Sequence, residues 1–331
     1  MKLRITVIVH PDLIPKHNLK RIGKNKRPTF PWITEWDVVK ALNGLGYDVS
    51  VVAVSSSSEL RTLLSSVKTD LIFNLLEEID GSSNFDYKVA KICSQHKVPY
   101  TGESEDGLIK GKNKKKSKSI VEKIGILTPA CYGQEEVEYP AIVKFNSEDG
   151  SFSISKKSII KHEQELNSRI EFLQKKYDDE LIIEEFIEGK DVYISLMKIN
   201  GELEVFPPRE LIFPKSKNSK LEIFSEKAKW SPQYQNKTRL YTRFMKKNKI
   251  TNELIESSKK IYNEFNFSSA VRIDFRVNKS GIYFLEVNPN PNLALDDDFC
   301  LSMMKIGFSY EECVNEICKN GFSNYLIKKI A

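Results

Sequence analysis

The segment from Ala270 to Asn292 (AVRIDFRVNKSGIYFLEVNPNPN) constrains this chain more than any other. Two runs rich in β-branched and aromatic residues flank Lys279-Ser280-Gly281, which predicts a hairpin with Gly281 in a left-handed conformation. Side chains alternate faces along a strand. Val271, Ile273, Phe275 and Val277 therefore point one way, and Arg272, Asp274 and Arg276 the other. On the return strand Tyr283, Leu285 and Val287 share a face, with Phe284, Glu286 and Asn288 opposite. That register sets Asp274 across from Glu286 and Arg272 across from Asn288. Two facing carboxylates repel unless a cation lies between them. The oxygen set suits Mg²⁺. The alternative is an ordinary amphipathic hairpin with a solvated acidic face.

The remainder of the chain is compatible with a site built around that hairpin. Its 331 residues predict two or three domains, with a core that needs no metal or disulfide staple. With 40% apolar and 29% charged residues, disorder, collagen-like structure and coiled coils are excluded. No apolar run approaches the length of a membrane span. The stretch Ile5 to Val9 alternates and stops at His10-Pro11, as a first strand would and a secretory leader would not. The five cysteines are odd in number and form no CxxC pair, which points to reduced thiols of a cytoplasmic protein. A net charge of +6 makes an anionic ligand plausible.

Strands at Leu3–Val9, Asp48–Val54 and Asp70–Phe73 alternate with helices at Trp36–Leu45, Glu59–Val67 and Phe85–His96. This order predicts a parallel sheet with helices on its faces. Further on, Ala141–Phe145 reads as a strand and Glu165–Tyr177 as a helix. Leu181–Phe186 and Asp191–Ile199 read as strands paired across Glu188-Gly189-Lys190. Residues 207 to 240 read as an irregular loop, and Asn252–Phe265 as a helix. The fold class is α/β, with α+β domains after an N-terminal parallel sheet.

RIDF followed by a strand ending in LEVN resembles the ATP-grasp ligases, in particular the D-alanine–D-alanine ligase branch. FNLLEE (Phe73–Glu78), PYTG (Pro99–Gly102), IGILTP (Ile124–Pro129), YPAIVKF (Tyr139–Phe145) and IIEEFIEGKDV (Ile182–Val192) recur in that branch in the same order. The resemblance spans residues 65 to 320. It implies an ATP-grasp fold with an N-terminal domain at 1–103, a central lid domain at 104–188 and a C-terminal domain with a metal site at 189–331. ATP would lie between the last two.

The resemblance also implies a site. Lys144 and Lys114 would hold the phosphates, with Lys115, Lys116 and Lys118 as rivals for the second place. Gly150 and Ser151 match the small-residue loop that closes over the phosphates. Glu184 would approach the adenine amine, with Glu185, Phe186 and Ile187 offering backbone groups and apolar cover. Asp191 would take the ribose hydroxyls, and Lys229 would reach the γ-phosphate. Asp274, Glu286 and Asn288 would hold two Mg²⁺ ions, or Mn²⁺ in their place, with Glu286 bridging. Arg272 would stabilise an acyl phosphate and the following oxyanion. Six of the nine residues from Lys110 to Lys118 are lysine, without interleaved aromatics. That composition reads as a solvated helix start with one phosphate contact, not as a nucleic-acid site.

The pattern breaks at both substrate ends. The N-terminal loop is long and basic (residues 16 to 27), Leu76-Glu77-Glu78 replaces a His-Gly element, and Glu35 stands as a substitute for the family's N-terminal acidic residue. After LEVN come Pro289-Asn290-Pro291-Asn292-Leu293 and Asp296-Asp297-Asp298, in place of a Pro-Gly pair and a hydroxyl residue. These departures suggest a carboxylate–amine ligase with small-molecule substrates other than two D-alanines. The acidic triplet would face a cationic amine, and the basic loop a larger or anionic carboxylate. The alternatives are a D-alanine–D-alanine ligase with a divergent pocket, and a non-catalytic ATP-binding regulator or nucleic-acid-associated factor. The family's frequent dimerisation admits a homodimer.

Overall fold

The computed structural model describes residues 2–16, 30–133, 136–147, 154–177, 179–214 and 223–330, without the side chains of Lys229, Trp230, Pro232, Gln235, Asn236 and residues 328–330. The chain opens with β1 (Arg4–Val9), α1 (Ile33–Gly44), β2 (Asp48–Ala53), α2 (Ser57–Ser66), β3 (Leu71–Asn74) and α3 (Tyr87–Gln95). The three strands form a parallel sheet in the order β2-β1-β3. Continuous apolar runs such as Ile5, Val7, Ile8 and Val9 are buried because helices cover both faces.

The lysine run does not form one solvated helix. Asn113 ends α4 (Glu105–Lys112) and caps α5 (Lys114–Lys123) by accepting a hydrogen bond from the Lys116 backbone N–H. On α5 the buried positions are Lys114, Ser117, Lys118 and Val121, the spacing of one helix face. Three lysines, Lys112, Lys114 and Lys118, thus turn inward, which the sequence reading missed.

An antiparallel sheet follows, in the order β4-β7-β5-β6: β4 (Cys131–Tyr132), β5 (Ala141–Phe145), β6 (Ile159–Ile160) and β7 (Leu181–Glu185), with α6 (Glu163–Lys176) packed on it. The next strand, β8 (Lys190–Ile199), leaves that sheet. It does not pair with β7 across Glu188-Gly189-Lys190, as the sequence suggested. It runs down the middle of a six-stranded sheet ordered β11 (Tyr241–Phe244), β10 (Arg209–Ile212), β8, β12 (Val271–Val277) and β13 (Ile282–Pro289), with β9 (Glu202–Val205) also pairing with β8. The crossing is pinned from below. A Cβ on Gly189 would lie 2.6 Å from the Val277 carbonyl oxygen, and the Ile187 and Glu188 carbonyls accept hydrogen bonds from Arg276 Nε and Asn278 Nδ2.

Residues 207 to 240 are more regular than the sequence suggested. They contain β10 (Arg209–Ile212), α7 (Glu226–Trp230) and α8 (Pro232–Thr238), and lead to β11 (Tyr241–Phe244). Then come α9 (Lys249–Glu264), β12 (Val271–Val277), β13 (Ile282–Pro289), α10 (Asp298–Lys305) and α11 (Tyr310–Ile330). Helix α11 returns to the first sheet. One core combines Val7, Leu42 and Phe73 with Met197, Phe299 and Ile317, so the two ends of the chain share it.

Glu103 ties these ends together. Its fully buried carboxylate accepts hydrogen bonds from the backbone N–H groups of Ser268 (2.7 Å) and Ser269 (2.9 Å), and its own N–H donates to Asn290 Oδ1 (2.7 Å). Replacing Glu103 by Ala takes this acceptor from the Ser104, Ser268 and Ser269 N–H groups and the Ser268 hydroxyl, and is expected to cost on the order of 3 kcal/mol in urea unfolding, with Glu103→Gln losing less.

Candidate functional site

The hairpin β12–β13 has the expected register: Asp274 pairs with Glu286 and Arg272 with Asn288. A bulge then intervenes, and Phe275 pairs with Phe284. Leu285 is the extra residue. The bulge turns Phe284 onto the core face, where it is fully buried and packs edge-on against Phe275. Strict alternation had placed Phe284 beside Glu286. The bulged carbonyl is not wasted, since Leu285 O accepts a hydrogen bond from Lys118 Nζ at 2.8 Å.

Neighbouring strands extend the polar face. Tyr193 of β8 lies across from Asp274, Ser195 across from Arg272, and Asp191 across from Arg276. Arg276 Nη1 is 2.5 Å from Asp191 Oδ1, and its guanidinium lies 5.3 Å from the Phe186 ring centroid. Asp191 is therefore an ion-paired carboxylate in this state.

A cavity of about 110 Å³ opens between this face and the β4–β7 sheet. Lys144, Glu184, Glu185, Phe186, Ile187 and Asp191 line it, joined by Asp274 and Glu286 from the hairpin. Eight of the residues assigned from the resemblance are thus brought to one space. Lys114 approaches from α5, with Nζ 3.5 Å from Glu286 Oε2.

Glu184 bridges two ammonium groups: Lys118 Nζ at 2.9 Å and Lys144 Nζ at 2.9 Å. All three side chains are buried. Burial opposes ionisation of Glu184, but Lys118 and Lys144 outweigh it and hold its pKa below the ordinary carboxylate value. Burial lowers Lys118 to about 8, which leaves it charged at neutral pH. For Lys144 burial is overcome by Glu184 and Glu286, and its pKa is raised. Lys114 and Lys118 thus face different carboxylates, Glu286 and Glu184. Removing one partner of a buried ion group leaves uncompensated charge, so Glu184→Ala is expected to lose about 3–5 kcal/mol in denaturant unfolding.

Arg272 grips Asp274 with both prongs, Nε to Oδ1 at 2.8 Å and Nη2 to Oδ2 at 3.0 Å. Burial, opposed by Arg272 and assisted by Glu286, raises the Asp274 carboxyl above its ordinary value. Glu286 is also penalised by burial, yet Lys114, Lys144 and Arg272 bring it below the ordinary carboxylate value. Among the described residues no cluster of three His, Cys, Asp or Glu side chains could hold a metal ion. The nearest arrangement is Asp274, Glu286 and the Asn288 amide, whose buried Nδ2 has no hydrogen-bond partner among the described residues. Two carboxylates and an amide oxygen are hard donors of the kind Mg²⁺ takes together with phosphate oxygens. The residues present fit that ion.

At the far end of the hairpin a smaller cavity of about 50 Å³ is lined by Glu35, Asn74, Glu77, Asn290 and Asn292. Glu35 is buried and its Oε2 has no hydrogen-bond partner among the described residues. Burial raises its pKa from 4.5 to about 7, opposed by a backbone hydrogen bond and assisted by Glu77. A raised carboxyl pKa means that the folded state holds the proton longer than the unfolded state. Stability from this group is then lost as pH rises from about 4.5 through about 7. Glu35→Gln should raise the thermal midpoint above pH 7 and change it little at acid pH, as followed by calorimetry across pH.

The acidic triplet is not an open negative face. Asp298 lies 3.1 Å from Arg209 Nε and accepts a hydrogen bond from Thr242 Oγ1, and only Asp296 is exposed. Gly150, Ser151 and all of the basic loop 16–27 except Lys16 lie outside the described residues, as does the Lys229 side chain. Arg276 and Tyr193 entered no sequence-derived site. Their positions on alternate residues, in step with Asp274 and Asp191, carried the signal.

A family model described as D-ala D-ala ligase C-terminus matches residues 113–319. The chain is 30% identical over 267 residues to a D-alanine–D-alanine ligase of Aquifex aeolicus, covering 78% of this chain and 84% of that protein. This chain belongs to the D-alanine–D-alanine ligase family. It is an ATP-grasp, ADP-forming carbon–nitrogen ligase of that family. It is also 26% identical over 310 residues to the uncharacterized protein y4sG of Sinorhizobium fredii, covering 88% of this chain and 89% of that one. The solved D-alanine–D-alanine ligase of Bacillus anthracis complexed with ATP shares the fold, with a TM-score of 0.74, 18% identity and 99% of each chain covered. The parallel sheet followed by two antiparallel sheets is thus the ATP-grasp arrangement. Among the described residues no helix is long and apolar enough to cross a membrane.

Proposed function

We propose that this ligase phosphorylates a small carboxylate with ATP and passes the acyl group to an amine, and that its substrates are not two D-alanines. The observation that carries the reading is the convergence of Lys114, Lys118 and Lys144 on the carboxylates of Glu184 and Glu286, beside the Arg272–Asp274 pair. Lysines on separate elements suit a polyphosphate, and the apolar wall of Phe186 and Ile187 suits a base. Entry of a nucleotide would exchange the Glu184 pairings for phosphate contacts at the lysines. Glu184 would then accept from the adenine amine, and Asp191 from the ribose hydroxyls. We assign Lys229 and Ser151 to the phosphate end on the family pattern.

Asp274, Glu286 and Asn288 would hold Mg²⁺, in our reading as two ions with Glu286 shared and with Mn²⁺ an acceptable substitute. The metal would supply positive charge to offset that developing on the phosphoryl oxygens. Arg272, freed from Asp274, would hold the acyl phosphate and then the tetrahedral oxyanion. The contribution is positioning and charge stabilisation, with no covalent enzyme nucleophile. The division at residues 103 and 188 into three domains, assembly as a homodimer and a cytoplasmic location belong to the same proposal.

The substrate part rests on the altered ends. The cavity at Glu35 carries amides and carboxylates, and Asp298 occupies Arg209. The named relative from Aquifex favours D-alanine as the second reading. ADP release measured over amino acids, dipeptides and amines decides between them. We expect turnover with a substrate pair other than D-alanine with D-alanine, lost by at least about a hundredfold in Glu286→Ala. Robust turnover with D-alanine alone would overturn the substrate proposal. Metal-independent nucleotide binding without any ADP release would instead favour a regulator.

A further inference from the structure

Arg276 of β12 lines the same cavity as Phe186, Ile187 and Asp191. It is 4% exposed, and its guanidinium grips the crossing from β7 to β8 at three points. Nε donates to the Ile187 carbonyl at 3.0 Å, and Nη1 lies 2.5 Å from Asp191 Oδ1. The planar group itself lies 5.3 Å from the Phe186 ring centroid. Phe186, Ile187 and Asp191 are all buried. The register sets Asp191 directly across from Arg276, so the two side chains share a face of the sheet.

These contacts fall on the parts of the cavity wall that a nucleoside would meet. Phe186 and Ile187 offer cover to a base, and Asp191 offers oxygens to a sugar. A carboxylate has about four acceptor positions, so a pairing at Oδ1 leaves capacity on the group. Buried charge persists only when paired, and a hydrogen bond to an ionised acceptor is roughly twice as strong as a neutral one. The guanidinium thus keeps Asp191 a strong acceptor and fixes its orientation. It also cancels a negative charge that would otherwise repel a polyphosphate held by Lys114 and Lys144.

We propose that Arg276 is a positioning residue for the sugar of the nucleotide, and that through Asp191 it selects ribonucleotides over deoxyribonucleotides. The inference deepens the nucleotide reading above and rests on it. The fork matters as well as the charge. A lysine is a point charge on a flexible stem, and it cannot hold the Ile187 carbonyl and Asp191 together while lying flat on Phe186.

The test is titration calorimetry of the full chain with ADP, 2′-deoxyADP and 3′-deoxyADP, each in excess Mg²⁺. No carboxylate or amine is needed, so the result does not depend on which pair the ligase joins. A hydrogen bond to a charged acceptor corresponds to a factor of about ten or more in Kd. The wild type should bind ADP more tightly than at least one deoxy analogue by about that factor. Arg276→Met should bring the ratio close to one, mainly by weakening ADP, and Arg276→Lys should lower it by at least about threefold. A merely structural role would weaken all three nucleotides together and leave the ratio unchanged. Full retention of the ratio in either variant therefore overturns the proposal. Arg276→Met strips Asp191 of its counter-charge, and if that variant does not fold, Arg276→Lys decides. Equal wild-type affinity for the three nucleotides would overturn the proposal and leave the nucleotide site standing. Binding of none of them would overturn that site together with the proposal.

Discussion

One buried carboxylate, Glu184, holds the cleft together. It comes from β7, and its two counter-charges come from α5 and β5. Lys118 then reaches on to the carbonyl of Leu285 in the β12–β13 hairpin. A single chain of charge and hydrogen bond therefore ties the central sheet to the six-stranded sheet across the cavity between them. Such a group is expensive to bury and is tolerated only when each partner is satisfied. The arrangement gathers positive charge beside the cavity, and a matched carboxylate keeps those lysines in place.

The hairpin shows how constraint passes from sequence to chemistry. Alternation alone put Asp274 across from Glu286, because one face had to be apolar and the register followed from that. The bulge at Leu285 was not legible. It adds one residue to one strand, turns Phe284 into the core and presents a free carbonyl to Lys118. Local propensity does not record a bulge whose benefit lies in a partner 167 residues away.

Elsewhere the misreadings share a cause. The lysine run looked solvated because composition averages over faces. A cap at Asn113 resets the helix phase, and Lys114 and Lys118 then fall on the buried side. The strands on either side of Gly189 looked like a hairpin because they are close in sequence. They part because each finds its hydrogen bonds in a different sheet, β7 beside β5 and β8 beside β12. The acidic triplet looked like an open surface, yet Asp298 is neutralised by an arginine from β10.

The sequence by itself determined the family, most of its elements and the oxygen and lysine groups that the fold brings to one cavity. These are local patterns: a strand alternates, a motif stands in line with its neighbours, and each can be read without knowing what lies across the cleft. Only the tertiary structure decided which lysine answers which carboxylate, and that Arg272 and Asp274 neutralise each other. Those outcomes depend on pairing between segments far apart in the chain. Burial then decides which charges are shared and which are left over, because a charge removed from water must find its partner wherever the fold supplies one.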